Sequence, residues 1–477
     1  MGGLSAAIRL AVAGHKVEVF EANNYPGGKL TQIKLGDYRF DAGPSLFTLP
    51  QLVEELFELA GENAEARFSY HRLPLTCKYF YEDGTVINGF AEKEKFAEEI
   101  ARKTGARKVD ILKQLEHSSS LYKLLAPLFM FRSLHNWSTW LGKNAWKAYS
   151  KLGLLKVNQT LHQANQKQLK APKAVQLFNR YATYNGSSPY KAPATLQIIP
   201  HLEMGIGAFL PKGGMHSITQ SLYGLARRVG VKFSFNTPVQ SILHEAGQAT
   251  GLQLPGDARR FDTVISNADM LPTYRKLLPE LKAPERLLKQ EKSSSALIFY
   301  WGIKKKFEQL DLHNIFFSED YEEEFKQIFE EKNVYHDPTV YLNITSKYVE
   351  GDAPEYGDNW FTMINVPHNR DQDWDKLIAE ARKNILAKLS RMLGEPIEEL
   401  IEVEDLLDPR LIEQRTSSAF GALYGNASNS KYAAFLRHSN KSSRLKNLYF
   451  CGGSVHPGGG IPLALLSGKI VADMIAK

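Results

Sequence analysis

The chain has 477 residues, of which 43% are hydrophobic and 23% are charged. This length predicts two domains, and the composition is that of a folded globular protein, not of a disordered or disulfide-rich chain. The net charge of +7 comes without zinc-ligand spacing or an aromatic-glycine RNA motif. We therefore expect no nucleic-acid partner, and an anionic lipid surface accounts better for the charge.

Cysteine content and hydropathy bear on the cellular location. The two cysteines, Cys77 and Cys451, are too few for a disulfide framework, and the N-terminal residues do not form a signal peptide. We therefore expect a reducing, cytoplasmic environment. No apolar run reaches the ~18 residues of a membrane-spanning helix. The most apolar stretch, residues 121–142, is interrupted by charged residues and proline, so it is suited only to lie on a membrane surface.

The first predicted element is an amphipathic helix over residues 3–13. Apolar side chains recur at positions 4, 7, 8 and 11, and Gly14 is a natural helix end. Residues 15–21, HKVEVFE, then predict a short parallel strand that ends at Phe20, with Glu21 just beyond it. The two elements together indicate the second half of a βαβ unit.

This half-unit has features of dinucleotide binding. In a G-x-G-x-x-G unit the last glycine allows close helix–strand packing, and an acidic residue about 20 positions later takes a ribose hydroxyl. Gly3 and Glu21 fit these two positions. The strand that would precede the helix is missing, so we expect the natural product to start upstream of Met1. Because that strand is normally central and buried, we expect a chain without it to bind its nucleotide weakly.

A second glycine pair follows the strand. Gly27 and Gly28 are followed by Lys29, and a hairpin-like run then leads to the FDAGP sequence at 40–44. Glycines let backbone amides approach a pyrophosphate, and an adjacent cation balances its charge. The pattern therefore predicts a phosphate site.

The middle of the chain predicts a helical layer followed by a sheet. We expect a helix over 49–61, a hairpin about Asp83 and Gly84, and mostly helices over 91–200. Tryptophan and tyrosine between 137 and 149 alternate with basic residues, which is typical of an interfacial helix. Strand-like runs at 293–305, 314–318, 339–346 and 359–367 predict a mixed sheet, and 372–394 predicts an amphipathic helix.

The C-terminal residues predict a strand over 448–451, a glycine-rich turn, and a helix from about Pro462. Five glycines lie between 452 and 460, which is more than a turn requires. A helix N-terminus also favours an anion or a polarised ring. We therefore expect the backbone here to lie against a ligand.

These stretches resemble the bacterial-type phytoene desaturases, which are carotenoid desaturases with the amine oxidase-like FAD fold. The residues that carry the resemblance are GGLSAAIRLAVAGHKVEVFEANNYPGGK at 2–29, FLPKGGMHSITQSLYGLARRVGVKFSFNTPVQSI at 209–242, DTVISNAD at 262–269 and CGGSVHPGGGIPLALLSGK at 451–469. The last block is the most specific of the four.

The resemblance implies an α/β fold with a discontinuous Rossmann-type FAD-binding domain. That domain would comprise residues 1–70, 205–270 and 430–477. A mixed-sheet substrate domain would comprise 71–90 and 271–429, and a helical, membrane-associating region would comprise 91–204.

The resemblance also implies which residues contact FAD. Glu21 would bind the adenosine ribose, and Val239, in the strand NTPVQSI, would meet the adenine through its backbone. Gly453 stands where relatives usually carry an acidic residue, so one flavin hydrogen bond is in question. The residues implied at the phosphates, the ribityl chain and the ring are Gly3, Gly28, Lys29, Gly452, Gly453, Ser454, Gly460 and Ile461.

The implied reaction is desaturation of a carotenoid, in which the flavin takes hydride from an allylic carbon and a proton then leaves. His456, Glu203 and His201 are candidate proton acceptors or cation stabilisers. Phytoene is the default substrate, with oxygen or a quinone as electron acceptor. We expect the protein at the inner face of the cell membrane, because a lipid-soluble substrate enters from the bilayer.

Other functions remain open at this point. The aromatic-rich region and the unusual GGGIPLALL sequence allow a later-acting 3,4-desaturase of a hydroxylated or monocyclic carotene, or a C30 diapophytoene enzyme. An amine oxidase-type enzyme acting on polyamines or amino acids is a second alternative. A flavin-deficient carotenoid or lipid binder is a third.

Overall fold

The computed structural model describes residues 1–433 and 435–476. The α-helices are α1 Gly2–Val12, α2 Gln51–Leu59, α3 Ala64–Arg67, α4 Lys93–Thr104, α5 Lys108–Phe129, α6 Trp137–Leu141, α7 Lys143–Tyr149, α8 Leu161–Leu169, α9 Pro172–Asn179, α10 His216–Arg228, α11 Met270–Pro272, α12 Glu285–Leu288, α13 Tyr321–Lys326, α14 Trp374–Leu393, α15 Ile397–Leu400, α16 Pro409–Thr416 and α17 Ile461–Ile475. Short 3₁₀ or π turns span Leu152–Leu155, Arg180–Asn185, Ala194–Ile198, His201–Ile206, Thr273–Leu277, Gln327–Glu331, Thr345–Lys347 and Ala419–Gly421.

The strands are β1 Glu18–Phe20, β2 Gln32–Leu35, β3 Tyr38–Asp41, β4 Tyr70–Arg72, β5 Leu75–Phe80, β6 Val86–Phe90, β7 Phe209–Pro211, β8 Lys232–Ser234, β9 Ser241–Glu245, β10 Gln248–Leu254, β11 Asp257–Arg260, β12 Val264–Ser266, β13 Ser295–Ile303, β14 His313–Phe316, β15 Val340–Asn343, β16 Asp358–Val366, β17 Ile401–Leu407 and β18 Leu448–Phe450.

A seven-stranded sheet has the order β17-β13-β16-β15-β14-β5-β6. Only its β14–β5 pair is parallel, which confirms the predicted mixed sheet. The apolar run of β13 is buried on both faces. Leu297, Phe299 and Trp301 pack in one cluster with residues of α14, while Ile298 and Tyr300 line a large cavity on the opposite face. The sheet therefore forms one wall of that cavity.

Two parallel strand pairs accompany the helices at the chain ends, in agreement with the βαβ pattern. Strand β1 pairs with β8, and β12 pairs with β18. Helix α1 packs against α17, α10 and α2, and Leu4, Ala7 and Ile8 lie on its buried face. The helix predicted over 3–13 and the helix predicted from Pro462 are thus both present, within one residue of their predicted starts.

One predicted strand is shorter than expected. The run NTPVQSI forms a strand only from Ser241 onward, so Val239 lies in the preceding loop and not in β9. Asn236 has a φ of 51°, which is outside the strand region, and Pro238 has no N–H to donate to a ladder. These two residues explain the late start of the strand.

Residues 91–200 are mostly helical, as predicted, and Leu125 and Phe129 of α5 line the cavity. The longest helix of this region, α5, contains Lys123 and Pro127 within its apolar second half. Among the residues that the structure describes, no helix is long and apolar enough to cross a bilayer.

Candidate functional site

One cavity of about 2500 Å³ joins both ends of the chain, the seven-stranded sheet and the helical region. Ordinary small-molecule pockets have volumes of about 300–1,000 Å³. This cavity is therefore large enough to hold a dinucleotide and a long apolar chain together. All ten residues that the sequence assigned to FAD contribute to its wall.

The two chain ends meet through close backbone contacts. A Cβ on Gly2 would lie 2.8 Å from the backbone N of Gly452, and a Cβ on Gly468 would lie 2.8 Å from the backbone N of Ala6. The Ser5 hydroxyl also donates to the Leu465 carbonyl at 2.8 Å. Only small residues fit between α1 and α17, which explains the glycines at both ends of the sequence.

Several backbone and charged groups at this meeting point suit a dinucleotide. Helix α17 begins at the cavity with Ile461, and the first amides of a helix have no partner within it. Gly27 and Gly28 have φ values of 97° and 61°, which side chains disfavour. The Gly3 amide, in contrast, already donates to Asn267 Oδ1 at 2.9 Å, so its role here is close packing.

The two predicted charged contacts also lie at the cavity. Glu21 is partly buried and accepts hydrogen bonds from the backbone N and Nδ2 of Asn23, at 3.0 and 3.2 Å. Lys29 Nζ donates to the Ala422 and Leu423 carbonyls at 3.3 and 2.9 Å. Burial lowers the pKa of Lys29 to about 8, although Asp269 opposes this shift. The residues present therefore fit FAD, while the ribose contact of Glu21 and the anion contacts of Lys29 and α17 stay predictions.

The structure brings together two of the three predicted acid–base residues. His456 and Glu203 both line the cavity. His201 is not among the described residues that line it; its ring lies beside Tyr122, with ring centroids 5.0 Å apart. Its π turn, His201–Ile206, carries Glu203 inward and leaves the His201 ring half-buried.

His456 is buried and neutral. Its Nε2 lies 2.8 Å from the Arg132 carbonyl, which only accepts, so Nε2 carries the proton and Nδ1 holds a lone pair. Burial lowers the pKa of His456 to about 4. The ring therefore stays uncharged at physiological pH.

Glu203 belongs to a buried polar cluster that sequence reasoning missed. Arg180 Nη2 lies 2.6 Å from Glu203 Oε1 and also donates to the Tyr79 hydroxyl at 2.5 Å. The hydroxyls of Tyr181 and Tyr184 donate to the two carboxylate oxygens. Although burial opposes its charge, the carboxylate of Glu203 raises the pKa of Arg180 above its ordinary value. Arg180 is therefore charged in the cavity wall.

His313 was also missed, because it lies one residue before the strand predicted over 314–318. In β14 it shares a face with Ile315, which pairs with Tyr79 on β5, so alternation places it on the cavity side. Its Nδ1 lies 2.7 Å from the Tyr341 hydroxyl, and the same hydroxyl lies 2.7 Å from Ser45 Oγ. Strand periodicity was the signal that pointed to it.

Comparison with known proteins agrees with this site. The family model described as flavin containing amine oxidoreductase matches residues 1–476. The chain is 52% identical to the 1-hydroxycarotenoid 3,4-desaturase of Flavobacterium sp. (strain P99-3) over 475 residues, which is 100% of this chain and 97% of the relative. It is 32% identical to the 4,4'-diapolycopene oxygenase of Methylomonas sp over 488 residues, covering 100% and 96%.

A solved oxidoreductase from Methanosarcina mazei shares the fold, with a TM-score of 0.66, 16% identity, and coverage of 99% of this chain and 98% of that one. The family match and the identities extend over the whole chain, and the residues assigned to FAD line one cavity. The chain therefore belongs to the flavin-containing amine oxidoreductase family and, within it, to the FAD-dependent carotenoid desaturases.

Proposed function

We propose that the protein is a carotenoid 3,4-desaturase that acts on a carotenoid with a hydroxyl group at C1. The 52% identical relative carries this activity in its name, and the identity extends over nearly the full length of both chains. The comparisons thus favour the later-acting alternative over phytoene, the default expectation from sequence.

The observation that carries the proposal is the polar cluster in the cavity wall. Phytoene is a hydrocarbon and offers no hydrogen bond to Arg180, Glu203 or His313. Burying such groups against a hydrocarbon without partners costs free energy. A hydroxylated carotenoid has one group that both donates and accepts, and the remainder of its chain suits the apolar wall.

The same cluster argues against an amine substrate. An amine is cationic at neutral pH and needs a carboxylate to balance its charge. Glu203 is the buried carboxylate in this cluster, and Arg180 already neutralises it at 2.6 Å. An amine oxidase-type reaction is therefore disfavoured at this site.

The residues of the chain have defined tasks in this reaction. Bound FAD supplies the hydride acceptor for an allylic C–H bond. Ile298, Phe361 and Met363 form part of an apolar wall that excludes water from the reacting carbons. His456 offers its Nδ1 lone pair to the departing proton, and Glu203, whose charge Arg180 balances, remains available as a hydrogen-bond acceptor. These two roles stay predictions.

The route of substrate entry forms a second part of the proposal. Trp137, Leu141 and Trp146 expose 81%, 74% and 67% of their surface on α6 and α7, next to Lys143 and Lys147. Leu134, Leu155 and Val157, from the same region, line the cavity. We propose that this aromatic and basic surface attaches the protein to the inner face of the cell membrane, so that the substrate passes directly from the bilayer.

The test uses purified protein with FAD in liposomes that contain one carotenoid at a time. We expect a 1-hydroxylated acyclic carotenoid to lose two hydrogens and to absorb at longer wavelength, and phytoene to be left unchanged. Conversion of phytoene but not of the hydroxylated compound would contradict the proposal. Retention of carotenoid without bound flavin or turnover would instead support the binder alternative.

The electron acceptor is tested in the same liposomes. Oxygen and a quinone stay the two predicted electron acceptors. Turnover under nitrogen that depends on added quinone would select the quinone, and turnover in air without quinone would select oxygen.

A further inference from the structure

Two buried hydrogen-bond donors in the wall of the cavity have no partner. Arg180 Nε and His313 Nε2 are buried, and neither atom makes a hydrogen bond within the described residues. Both side chains line the cavity. Unpaired buried polar atoms are uncommon in folded proteins, and each costs about 1–3 kcal/mol. Such a pair at the wall of a cavity indicates a ligand group that accepts hydrogen bonds. Both atoms lie just beneath the cavity surface, so the two side chains turn toward the ligand when it binds.

The network around His313 fixes the position of its proton. Asn343 Nδ2 donates to the Leu312 carbonyl at 2.9 Å, and this bond sets the orientation of the amide. The same Nδ2 lies 3.2 Å from His313 Nδ1, so Nδ1 accepts and the proton is on Nε2. Burial and the nearby Arg180 lower the pKa of His313 to about 3, which keeps the ring neutral. Nε2–H is therefore the donor that lacks a partner.

An acceptor for a hydroxyl proton lies in the same cluster. A carboxylate has about four lone-pair sites. Arg180, Tyr181 and Tyr184 use three of those on Glu203, and one site remains. Arg180 donates to the Tyr79 hydroxyl, and Tyr79 pairs with Ile315. Ile315 is on the same face of β14 as His313, so these groups lie in one region of the wall.

The cluster lies next to the turn assigned to the flavin ring. A Cβ on Gly459 would lie 2.8 Å from the Tyr424 ring, and a Cβ on Gly186 would lie 2.8 Å from the same ring. Gly186 is two residues beyond Tyr184, which bonds Glu203. On the other side, Ser45 and Tyr341 connect His313 to the segment that follows Gly43. The carbon that bears the hydroxyl, C1, is separated from C3 by a single carbon, so this location suits a 3,4-desaturation.

We propose that His313, Arg180 and Glu203 form the subsite that binds the C1 hydroxyl of the substrate and thereby places the C3–C4 bond at the hydride acceptor. The hydroxyl oxygen accepts from the free N–H groups of His313 and Arg180, and its proton is donated to Glu203. This assignment rests on the proposed function, since it requires a hydroxylated substrate.

A site of this kind discriminates strongly. A carotenoid without the hydroxyl would leave the donors of Arg180 and His313, and one lone-pair site of Glu203, without partners, and such loss is worth about 100-fold or more in kcat/KM. A methyl ether at C1 keeps the accepting oxygen and removes the donated proton. We therefore expect the ether to be a poor substrate as well, by about 10-fold or more.

The test compares His313→Phe and His313→Gln with the unaltered holoenzyme in carotenoid-loaded liposomes. Phenylalanine keeps the ring packing and leaves the Arg180–Glu203 pair intact, whereas glutamine keeps an N–H donor. We expect His313→Phe to reduce the kcat/KM preference for the hydroxylated over the deoxy carotenoid by about 10–100-fold, and His313→Gln to restore most of it. His336→Phe, at an exposed position, serves as the matched control.

The outcomes separate the two proposals. If the unaltered enzyme shows no preference for the hydroxylated carotenoid, the proposed function fails. If it shows the preference and His313→Phe keeps it, the function stands and the subsite assignment is overturned. Flavin absorbance and the thermal midpoint check folding of each variant. Should both variants misfold, the ether decides with the unaltered enzyme. If the deoxy compound is a poor substrate but the ether is converted as well as the hydroxylated carotenoid, the function stands and the subsite with its donation to Glu203 is overturned.

Discussion

Burial alters the charge of the titratable side chains around the cavity. Desolvation lowers the pKa of Lys29 to about 8 and that of His456 to about 4, so their protonation differs between the folded and unfolded chain. The consequences of these changes are measurable because proton binding is linked to the free energy of unfolding.

The lowered pKa of Lys29 should make the stability of the flavin-free protein depend on pH. Its folded pKa is below the ordinary value of 10.5, so the unfolded chain binds more protons between about pH 8 and pH 10. Stability from this group therefore rises with pH across that window, by roughly 2 kcal/mol. Lys29→Met removes the rise, as measured by thermal unfolding at several pH values. Lys113→Met, at an exposed position, should leave the rise of stability with pH unchanged. If the Lys29 variant shows the same rise as the unaltered protein, Lys29 is not its source.

We expect substitution of His456 to lower the free energy of unfolding, apart from any effect on catalysis. His456→Leu removes the donor to the Arg132 carbonyl and should lower the free energy of unfolding by about 1 kcal/mol. His456→Gln keeps an N–H and should recover part of that loss. Denaturant titration measures both variants, and equal stability of the leucine and glutamine variants would refute the role of this bond.

At the scale of elements, the contact between α1 and α17 depends on small residues. Gly2, Gly468 and Ser5 allow the two helices to approach until backbone atoms touch. The close contact also places the start of α17 at the cavity, where its unpaired amides are available to an anion. Helix packing and cofactor binding are therefore coupled.

Gly468→Ala tests this coupling. The added methyl group would crowd the backbone of α1 at Gly2 and Ala6, so we expect a loss of about 1–3 kcal/mol in stability and weaker FAD binding. Thermal unfolding and flavin fluorescence measure the two effects. Gly153→Ala is the matched control, because no atom lies within 4 Å of its Cβ position. Equal behaviour of the two variants would show that the packing tolerates the methyl group.

Helices α6 and α7 predict a membrane-binding surface. Trp137 and Trp146 are exposed by 81% and 67%, and each ring would gain from burial at the lipid interface. The double substitution Trp137→Ser and Trp146→Ser should lower binding to anionic liposomes by about 10-fold or more in a flotation assay. Leu59→Ser, which removes another exposed apolar side chain, should have little effect. Unchanged flotation of the double variant would place the membrane surface elsewhere.

At the scale of the whole molecule, one cavity connects segments that are far apart in the chain. Its wall includes Gly2 and Gly460 from the two chain ends, Ile298 from the sheet and Leu125 from the helical region. A ligand in this cavity therefore contacts both halves of the protein. We expect FAD to act as a structural link as well as a reactant.

Removal of FAD should thus loosen the two chain ends together. A ligand at 100 times its Kd stabilises the folded state by about 2.7 kcal/mol, and here the gain should concentrate in α1 and α17. Hydrogen exchange with and without FAD measures this effect. Helix α14 packs on the opposite face of the seven-stranded sheet and serves as an internal reference. Uniform protection changes in α1, α17 and α14 would contradict the expectation.

Much of the fold could be predicted from local patterns. Apolar residues at helical spacing predicted α1 and α14, and the continuous apolar run of β13 predicted a strand buried on both faces. The start of β9 was predicted too early, because Pro238 and the backbone angle of Asn236 interrupt the strand. Boundaries depend on such single residues, whereas the existence of an element depends on many.

The glycine motifs at the two chain ends, together with Glu21 and Lys29, were sufficient by themselves to indicate a dinucleotide site, because the chemistry of phosphate binding leaves a local sequence pattern. The polar subsite left no such pattern. Arg180, Glu203 and His313 come from two turns and a strand in separate parts of the chain. His201, which was predicted as an acid–base candidate together with Glu203, is not among the described residues that line the cavity. The meeting of Arg180, Glu203 and His313 was decided only by the packing of the helical region on the sheet, because contacts between distant segments depend on three-dimensional proximity and not on residue spacing.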